Sequence, residues 1–292
     1  MFTGWLGGDT TPLDPIILSQ ARTSLSLLVL VPLLWMTRGR EALRLPAADR
    51  VRSLAVGVAG MAGANFFYYD ALQRTTVATA IIIQYTAPVW VLLWLVGRGR
   101  QRATIGRLLA VALAVAGIAL AAGMTGEDLA HLDRRGLTSA VLSAFAFSIT
   151  NIGGRDLVAR HGRWPVLVWI LAGASGFWLL VNPPWKVVAA GYGPAQWGFL
   201  AVFAMASLLL PFVLYFTGLQ RLDATRAVVL ACLEPVFAVL LAALLLGERL
   251  ALTQGLGMAL VLGATVLIES GSSAAENHPG PTATSISRPP AP

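Results

Sequence analysis

Two ionisable side chains lie deep inside apolar stretches of the sequence, where a charge is costly. Glu234 is near the middle of the stretch 223–246, and Arg22 lies within the stretch 13–35. An ionised side chain at the centre of a bilayer costs roughly 2.5–3.5 kcal/mol on insertion scales, so each needs a partner or water. Glu234 either binds a proton or a substrate ammonium, or is a protonated structural glutamate that caps backbone beside Pro235. Arg22 meets a substrate carboxylate, belongs to a buried pair, or snorkels to the outer surface.

Three prolines interrupt stretches of the same kind. A proline inside a helix lacks the amide hydrogen and clashes with the carbonyl four residues earlier, so it kinks the helix and frees that carbonyl. In lipid a free carbonyl must be satisfied inside the protein, so these kinks should face the protein interior or a water-filled cavity. A purely structural kink is the alternative. The prolines are Pro88, Pro211 and Pro235, and the carbonyls they free are those of Gln84, Ser207 and Ala231.

Polar and aromatic residues are scattered through the otherwise apolar stretches around these prolines. Aromatic rings bind ammonium groups and apolar side chains, and amides and hydroxyls orient a ligand by hydrogen bonding. Together with Arg22 and Glu234 they are the candidate lining of a substrate cavity, although each amide or hydroxyl could instead join helices by packing. These residues are Asn65, Tyr68, Gln84, Tyr85, Trp90, Ser148, Asn151, Ser207 and Tyr215.

Patterns typical of catalytic and metal sites are missing from the sequence. The histidines, His131, His161 and His278, lie in predicted loops or the tail, and Cys232 is the single cysteine. There is no His-Glu-x-x-His, no Gly-x-Ser-x-Gly and no Gly-x-x-x-x-Gly-Lys-Ser/Thr phosphate loop. The sequence therefore predicts no enzyme, no metal site and no cofactor.

The composition places these residues in a membrane protein. Of the 292 residues, 57% are hydrophobic and 12% are charged, with a mean hydropathy of +0.72, against about 25% charged in soluble domains. The net charge of +7 comes from arginines that lie between apolar stretches and form no basic face, so no nucleic-acid partner is predicted. The expected fold class is an all-α integral membrane bundle with the lipid bilayer as its partner.

Apolar stretches of roughly 20 residues are long enough to cross a bilayer as helices. Short segments with proline, glycine and charged residues connect them. Residues 271–292 follow the last stretch, are rich in Pro, Ser and Ala, and are predicted to form a disordered cytoplasmic tail. Nine spanning helices are predicted, at 13–35, 51–73, 75–97, 103–123, 136–159, 164–182, 195–220, 223–246 and 251–270.

Basic residues are distributed unequally between the connections. Fourteen arginines lie in or beside the first, third, fifth and seventh connections, and five Lys or Arg residues lie in the alternate ones. Because cytoplasmic loops are enriched in Lys and Arg, the odd connections and the C-terminus are predicted to be cytoplasmic. The N-terminus is then outside, which requires an odd number of spans.

The sequence contains an internal repeat. A shift of 147 residues aligns Leu-Gln-Arg at 72–74 with Leu-Gln-Arg at 219–221, and Pro-Val at 88–89 with Pro-Val at 235–236. Spans two to four thus correspond to spans seven to nine, and a shift of five spans reverses their direction across the membrane. Inverted repeats are typical of secondary transporters, whose binding sites lie near the midplane where the halves meet.

Several motifs resemble the EamA-type transporters of the drug/metabolite transporter superfamily. Leu-Glu-Pro-Val-Phe-Ala at 233–238 and Leu-Gly-Glu-Arg at 246–249 look like the signature of that family's last two helices, and Tyr-Thr-Ala-Pro-Val at 85–89 repeats it weakly. Tyr-Asp-Ala-Leu at 69–72 resembles part of its third helix, and Arg22 resembles the arginine of its second. The resemblance implies ten helices, arranged as two inverted five-helix repeats with both termini cytoplasmic.

This chain departs from that pattern because the family's first helix is missing. A start codon placed too far downstream is the expected reason, and a true nine-helix protein is the alternative. The predicted organisation is a first repeat at 1–123 without its first helix, a second repeat at 124–270, and the tail.

The resemblance implies export of small amphipathic metabolites, amino acids above all, across a bacterial inner membrane. The inverted repeat and the prolines favour a secondary transporter that works by alternating access around a midplane cavity. Proton coupling and a homodimer are both compatible with the sequence. The alternatives are a non-transporting receptor or scaffold, and a carrier for another substrate class such as drugs or sugars.

Overall fold

The structure is a computed structural model that describes residues 14–121, 133–246 and 251–276. Throughout these residues the regular structure is helical, as the sequence predicts. The helices that by length and composition could cross a membrane are Pro15–Arg38, Thr79–Gly97, Arg134–His161, Arg163–Val181 and Pro194–Leu219, and the shorter apolar helices are Ile105–Ala121 and Leu252–Ile268.

The described helices follow one another as nine passes, and the second, third, seventh and eighth passes each consist of two helices. A short α9 precedes the seventh pass. In chain order the helices are α1 (Pro15–Arg38), α2 (Ala47–Ala55), α3 (Gly63–Leu72), α4 (Val77–Gln84), α5 (Ala87–Gly97), α6 (Ile105–Ala121), α7 (Arg134–His161), α8 (Arg163–Val181), α9 (Pro184–Ala189), α10 (Pro194–Ala204), α11 (Leu210–Leu219), α12 (Ala224–Ala231), α13 (Leu233–Leu246) and α14 (Leu252–Glu276).

The nine passes occur where the apolar stretches predict them, with shifts at the boundaries. The second pass begins at Ala47 rather than at 51, and α14 continues to Glu276 rather than ending at 270. The remainder of the predicted tail lies outside the described residues, as do His131, His278 and the Glu-Arg pair at 248–249.

Carboxylate caps mark where some of the passes begin. The side chain of Asp14 accepts a hydrogen bond from the amide of Ile16 at 2.7 Å, at the start of α1. Asp223 accepts one from the amide of Arg226 at 2.9 Å, at the start of α12. Such oxygens satisfy amides that have no partner in the first turn of a helix. The short polar connections thus contain the residues that start the next apolar helix.

Two passes contain a π-helical segment at equivalent positions. Val56–Ala62 joins α2 to α3, and Met205–Leu209 joins α10 to α11. The 147-residue shift of the internal repeat places Met205–Leu209 on 58–62, within the first segment. π-Helical segments loosen the regular hydrogen bonding of a helix and are frequent at functional sites. The repeat is therefore expressed in backbone geometry as well as in residue identities.

Two further passes are broken, again at equivalent positions. The third pass breaks at Tyr85 and Thr86, between α4 and α5, and the eighth breaks at Cys232, between α12 and α13. Tyr85 and Cys232 are related by the same 147-residue shift. Pro88 and Pro235 lie in the first turn of the second half-helix, where a missing amide hydrogen is tolerated. The prolines thus start new half-helices.

α7 lies at the centre of the bundle. It packs against α3, α4, α5 and the Val56–Ala62 segment on one side, and against α11 and α12 on the other. Most of its buried side chains are small or polar, and include Ser139, Ser143 and Asn151. Small side chains let helix backbones approach closely. α7 therefore joins the predicted first and second repeats.

Small residues also hold the fourth and ninth passes together. A Cβ atom added to Gly257 of α14 would lie 2.4 Å from the amide nitrogen of Ala121 and 2.5 Å from the carbonyl oxygen of Gly117, both in α6. Nothing lies within 4 Å of a Cβ atom added to Gly263, in the same helix. Small residues such as these could also support contact between two copies of the chain. Here Gly117, Ala121 and Gly257 make a contact within one chain.

Gly257→Ala should therefore weaken the contact between α6 and α14, because the new methyl group meets backbone atoms that cannot move without shifting a helix. We expect a loss of about 1–3 kcal/mol, the usual effect of overpacking, seen as a lower melting temperature of the purified protein in detergent. Gly263→Ala is the matched control and should melt like the parent. Equal melting of the two variants would contradict the close approach.

A charged cluster connects the two halves at the end of the bundle that carries most arginines. Asp49, in the first turn of α2 and outside the predicted span 51–73, has a buried side chain. Its carboxylate oxygens lie 2.7 Å from Nε2 of His161 and 3.0 Å from Nη1 of Arg160, at the end of α7. The hydrogen bond with His161 lowers the pKa of Asp49, and the charges of Arg160 and Arg52 lower it further, against the opposing effect of burial.

Asp49→Asn should remove a pH-dependent contribution to stability. Because the folded-state pKa is lowered, the carboxylate stabilises the fold above its unfolded pKa of about 3.9, and this stabilisation is lost as the pH falls through the folded-state pKa. We expect the difference in melting temperature between the parent and Asp49→Asn to be largest near neutral pH and to shrink below about pH 4. A difference that stays constant down to about pH 3 would count against this role. The exposed Glu41→Gln serves as the control.

Candidate functional site

A cavity of about 400 Å³ lies between the two halves of the bundle. This volume is within the roughly 300–1,000 Å³ of pockets that bind small molecules. In the first half of the sequence the lining comes from α1, α3, α4, the break after α4, and α6. In the second half it comes from α7 and α13. The lining residues are Arg22, Asn65, Tyr68, Tyr69, Ile81, Gln84, Tyr85, Ala121, Phe147, Glu234 and Pro235.

The two broken passes meet in this cavity through one hydrogen bond. The phenol of Tyr85, at the break between α4 and α5, donates to Oε2 of Glu234 at 2.9 Å. Glu234 lies in the first turn of α13, where the helix dipole favours a negative charge. The side chain is exposed, so the carboxylate can be reached from the cavity. Its partner is a tyrosine from the other half and not backbone beside Pro235, which favours the functional interpretation of this residue.

Arg22 enters the cavity from α1 and is held by the seventh pass. Its Nη2 donates to the carbonyl oxygen of Ser207 at 2.8 Å. The guanidinium carbon lies 5.5 Å from the ring centre of Phe203. Ser207 is within the π-helical segment, and its carbonyl is the one that Pro211 leaves without an amide partner. The predicted free carbonyl is therefore satisfied by an arginine from another helix.

Amide side chains of the lining also compensate for irregular backbone or join helices. Nδ2 of Asn65 donates to the carbonyl of Met61, in the first π-helical segment, at 2.8 Å. Nε2 of Gln84 donates to Oγ of Ser143 in α7 at 2.9 Å, and that hydroxyl donates to the carbonyl of Ala64 at 2.9 Å. The cavity wall is thus fixed by hydrogen bonds between the halves.

Six of the predicted cavity residues line the cavity, and the other five do not. The six are Arg22, Asn65, Tyr68, Gln84, Tyr85 and Glu234. The other five are Trp90, Ser148, Asn151, Ser207 and Tyr215, whose side chains make contacts between or along helices. Of the predicted kink residues, Pro235 lines the cavity, Pro88 is buried and Pro211 is exposed.

The contacts of four of these five residues show what their side chains do instead. Nε1 of Trp90 donates to Oγ1 of Thr86 at 3.2 Å, one turn earlier, and Ser148 donates to the carbonyl of Ala144 at 2.8 Å. The hydroxyl of Tyr215 donates to Oδ1 of Asn151, which joins the seventh pass to α7. Polar side chains often serve as such packing contacts between membrane helices.

Four lining residues were not predicted, namely Tyr69, Ile81, Ala121 and Phe147. Tyr69 adjoins Tyr68 on α3, and Phe147 adjoins the polar part of α7, so an aromatic next to a polar residue was an available signal. Ile81 and Ala121 are indistinguishable in sequence from residues that face lipid. Their place in the wall follows only from how the helices pack.

A larger cleft, of about 840 Å³, lies at the arginine-rich end of the bundle. Its charged residues are already paired within the chain. Nη1 of Arg100 lies 2.6 Å from Oδ2 of Asp156, and Arg52 and Arg160 both contact Asp49. The cavity that holds Arg22 and Glu234 is therefore the stronger candidate for a substrate site.

The described part of the chain contains no group of three or more His, Cys, Asp or Glu residues that could hold a metal ion. His161, for which the sequence assigned no ligand role, is bound to Asp49. Cys232, the break residue of the eighth pass, is fully buried.

Together, fold and site define a multi-pass membrane protein with a polar cavity between two halves whose broken helices correspond, the arrangement of secondary transporters. The sequence model of the EamA-like transporter family matches the chain twice, at residues 9–123 and at 134–270. The chain belongs to the EamA-like transporter family. The predicted family and the helical membrane fold are thereby confirmed.

Relatives of this chain are also transporters. An uncharacterized transporter of Archaeoglobus fulgidus is 31% identical over 214 residues, which cover 72% of this chain and 74% of the relative. The uncharacterized inner membrane transporter YicL of Salmonella typhimurium is 26% identical over 222 residues, 75% of this chain and 73% of the relative. The threonine/homoserine exporter RhtA of Escherichia coli is 26% identical over 227 residues, 77% of this chain and 72% of the relative.

A solved crystal structure has the same fold. It superposes with a TM-score of 0.73 at 20% sequence identity, and the match covers 94% of this chain and 92% of the solved chain. At this identity the likeness concerns the fold alone.

The cavity predicts a difference in water access between neighbouring residues of α4. Ile81 lines the cavity and Ala80 is fully buried on another face. In a Cys232→Ala background, Ile81→Cys should react with a membrane-impermeant thiol reagent, and Ala80→Cys, the matched control, should not. Equal labelling of the two positions, or labelling of Ala80→Cys alone, would contradict the position of the cavity.

Proposed function

We propose that this chain is a secondary transporter that exports amino acids or closely related amphipathic metabolites by alternating access around the cavity between its two halves. The observation that carries the proposal is the hydrogen bond between Tyr85 and Glu234. It brings a carboxylate and an aromatic ring together at the breaks of both broken passes. An ammonium group is attracted by a carboxylate and by the face of an aromatic ring, so this corner of the cavity suits the amino group of a substrate.

The proposed alternating access is supported by polar contacts between helices and connections at the arginine-rich end. Arg100, after α5, pairs with Asp156 of α7 at 2.6 Å. The hydroxyl of Thr225 donates to Oε1 of Gln101 at 2.7 Å, and Nε of Arg155 donates to the carbonyl of Leu222 at 2.6 Å.

The opposite end of the cavity approaches the second and fourth connections. Tyr69 lies near the end of α3 and Ala121 at the end of α6, and both line the cavity. With the predicted orientation, the ends of α3 and α6 that line the cavity face the outside, so we infer a state in which the substrate enters or leaves on that side. Movement of the halves would break contacts that join them, Arg100 with Asp156 and Gln101 with Thr225, and open the cavity to the cytoplasm.

The proposed setting is a bacterial inner membrane with the C-terminus cytoplasmic. The support is the unequal distribution of arginines and the similarity to YicL, an uncharacterized inner membrane transporter. The amino-acid substrate is supported by the name of RhtA, a threonine/homoserine exporter. The proposal includes no catalysis and no cofactor. The proposal also includes two separate hypotheses. One is proton coupling through Glu234, and the other is that the protein forms a homodimer.

A non-transporting receptor or scaffold is the alternative from another class. It does not require an ionisable group within the membrane that is accessible from a cavity, whereas a transporter uses one. Exposed Glu234 therefore favours the transporter. A carrier for drugs or sugars would use the same fold with a different lining.

The direct test is uptake of radiolabelled threonine, methionine and tryptophan into liposomes that contain the chain, with and without a pH gradient. Glu234→Gln should lower saturable uptake by roughly tenfold or more, because it removes the charge that meets the ammonium group. Glu41→Gln, which neutralises an exposed acid far from the cavity, is the matched control.

Tyr85→Phe keeps the aromatic ring and removes the donor to Glu234, so it should have a smaller effect than Glu234→Gln. Absence of saturable uptake of all three amino acids by the parent would refute the amino-acid assignment. Uptake that is identical in the parent and in Glu234→Gln would remove Glu234 from the pathway. A proton-coupled mechanism additionally requires that the pH gradient changes uptake by the parent and not by Glu234→Gln.

A further inference from the structure

Arg22 is a half-buried cation whose countercharge is missing from the part of the chain that the structure describes. Within the described residues its guanidinium makes one hydrogen bond, from Nη2 to the carbonyl of Ser207. Its Nε is buried and has no hydrogen-bond partner among the described residues. The ion pairs of residues 14–121, 133–246 and 251–276 do not include Arg22. A carbonyl dipole and the ring of Phe203 compensate for such a charge only in part.

The position of the guanidinium argues against a side chain that snorkels to the surface. Arg22 lies eight residues after the cap residue Asp14, which places it about 12 Å along the helix axis. The group it contacts, the carbonyl of Ser207, is midway along the helix Pro194–Leu219. The guanidinium is therefore directed to the middle of the bundle, where an unpaired charge is least favourable.

Among the described residues that line this cavity, Glu234 is the one acid, and its Oε2 accepts the hydrogen bond from Tyr85. The cavity thus offers a carboxylate that belongs to the second broken pass and a guanidinium that belongs to α1. A guanidinium carries five N–H donors in a fixed plane and binds carboxylates in a bidentate manner. A ligand that carries both an ammonium and a carboxylate would complement both groups at once.

We propose that Arg22 binds the carboxylate of the substrate, and that the cavity therefore selects zwitterionic α-amino acids over amines that lack the carboxylate. This inference rests on the proposed function for its premise that the cavity holds the substrate. In this structure the guanidinium donates to the carbonyl of Ser207, which Pro211 leaves without an amide partner. When an amino acid binds, the unused N–H groups of Arg22 meet its carboxylate, and the ammonium group meets Glu234.

The test compares threonine with threoninol, in which a hydroxymethyl group replaces the carboxylate. Binding is measured first, as the rise in melting temperature of the purified parent in detergent, because binding does not require transport. Threonine should stabilise the parent at concentrations about tenfold or more below those of threoninol, the difference expected for a hydrogen-bonded charged pair. In Arg22→Gln this preference should disappear, because threonine binding weakens to the level of threoninol.

The discrimination between the two ligands separates a binding role from a structural one. Glutamine can still donate to the carbonyl of Ser207, and a purely structural defect would weaken both ligands equally. Arg22→Lys keeps the charge without the planar fork and should retain part of the preference. Arg40→Gln, in the turn Arg40–Leu43 that follows α1, is the matched control and should retain all of it.

The outcomes distinguish this inference from the proposed function. A parent that transports threonine while Arg22→Gln keeps its preference over threoninol would overturn the role of Arg22 and leave the transport proposal intact. A parent that binds threonine and threoninol equally, or binds neither, would overturn the role of Arg22 whatever the transport assay shows. A preference that is present in the parent and lost in Arg22→Gln would support it even if the liposomes showed no uptake.

Discussion

A helix in a lipid bilayer must satisfy its backbone polar groups within the protein, and the functional part of this structure depends on that constraint. Four of the nine described passes are irregular, and in the two that contain a π-helical segment a polar side chain donates to the irregular backbone. Arg22 donates to the carbonyl of Ser207, Ser26 donates to that of Ala204 at 3.3 Å, and Asn65 donates to that of Met61. Irregular backbone requires polar partners, and polar partners create a cavity in which a hydrophilic substrate can be held.

The irregular positions come in pairs, and the chemistry of each pair differs. The 147-residue shift relates Tyr85 to Cys232 and Ala87 to Glu234. The two members of the central hydrogen bond, Tyr85 and Glu234, are therefore not symmetry mates. Each half has a break at the equivalent position of its helix, but the side chains at the two breaks differ. An inverted repeat of this kind can keep one backbone geometry for movement while the site becomes specific for an asymmetric ligand.

Much of the fold could be predicted from the sequence, because the bilayer imposes length and polarity on every span. The nine passes follow from the apolar stretches, and the repeat follows from the matching Leu-Gln-Arg and Pro-Val motifs. The family follows from the motifs Leu-Glu-Pro-Val-Phe-Ala and Leu-Gly-Glu-Arg. The π-helical segments could not be predicted, since Val56–Ala62 is rich in glycine and alanine whereas Met205–Leu209 is not. Proline positions indicated where passes are irregular, but Pro88 and Pro235 begin half-helices and do not lie at the centre of a kink.

The site was predictable where a residue is costly in lipid, and less so elsewhere. Glu234 and Arg22 stand out because an ionisable group within a membrane span requires an explanation, and both line the cavity. Asn151 and Tyr215 are polar too, but they satisfy each other between two helices. A sequence shows that a span contains a polar residue, whereas the choice between a cavity and a neighbouring helix depends on the rotation of that span in the bundle.

The claim at the centre of this account is that transport requires the two halves to move relative to each other around the cavity. The ion pair between Arg100 and Asp156 joins the halves at the arginine-rich end, so the most direct measurement replaces both residues by cysteine in a Cys232→Ala background. A short bifunctional thiol reagent then links the two positions, and threonine uptake into liposomes is followed. The account predicts that the linked protein does not transport and that a reducing agent which cleaves the link restores uptake. Unchanged uptake by a fully linked protein would contradict it.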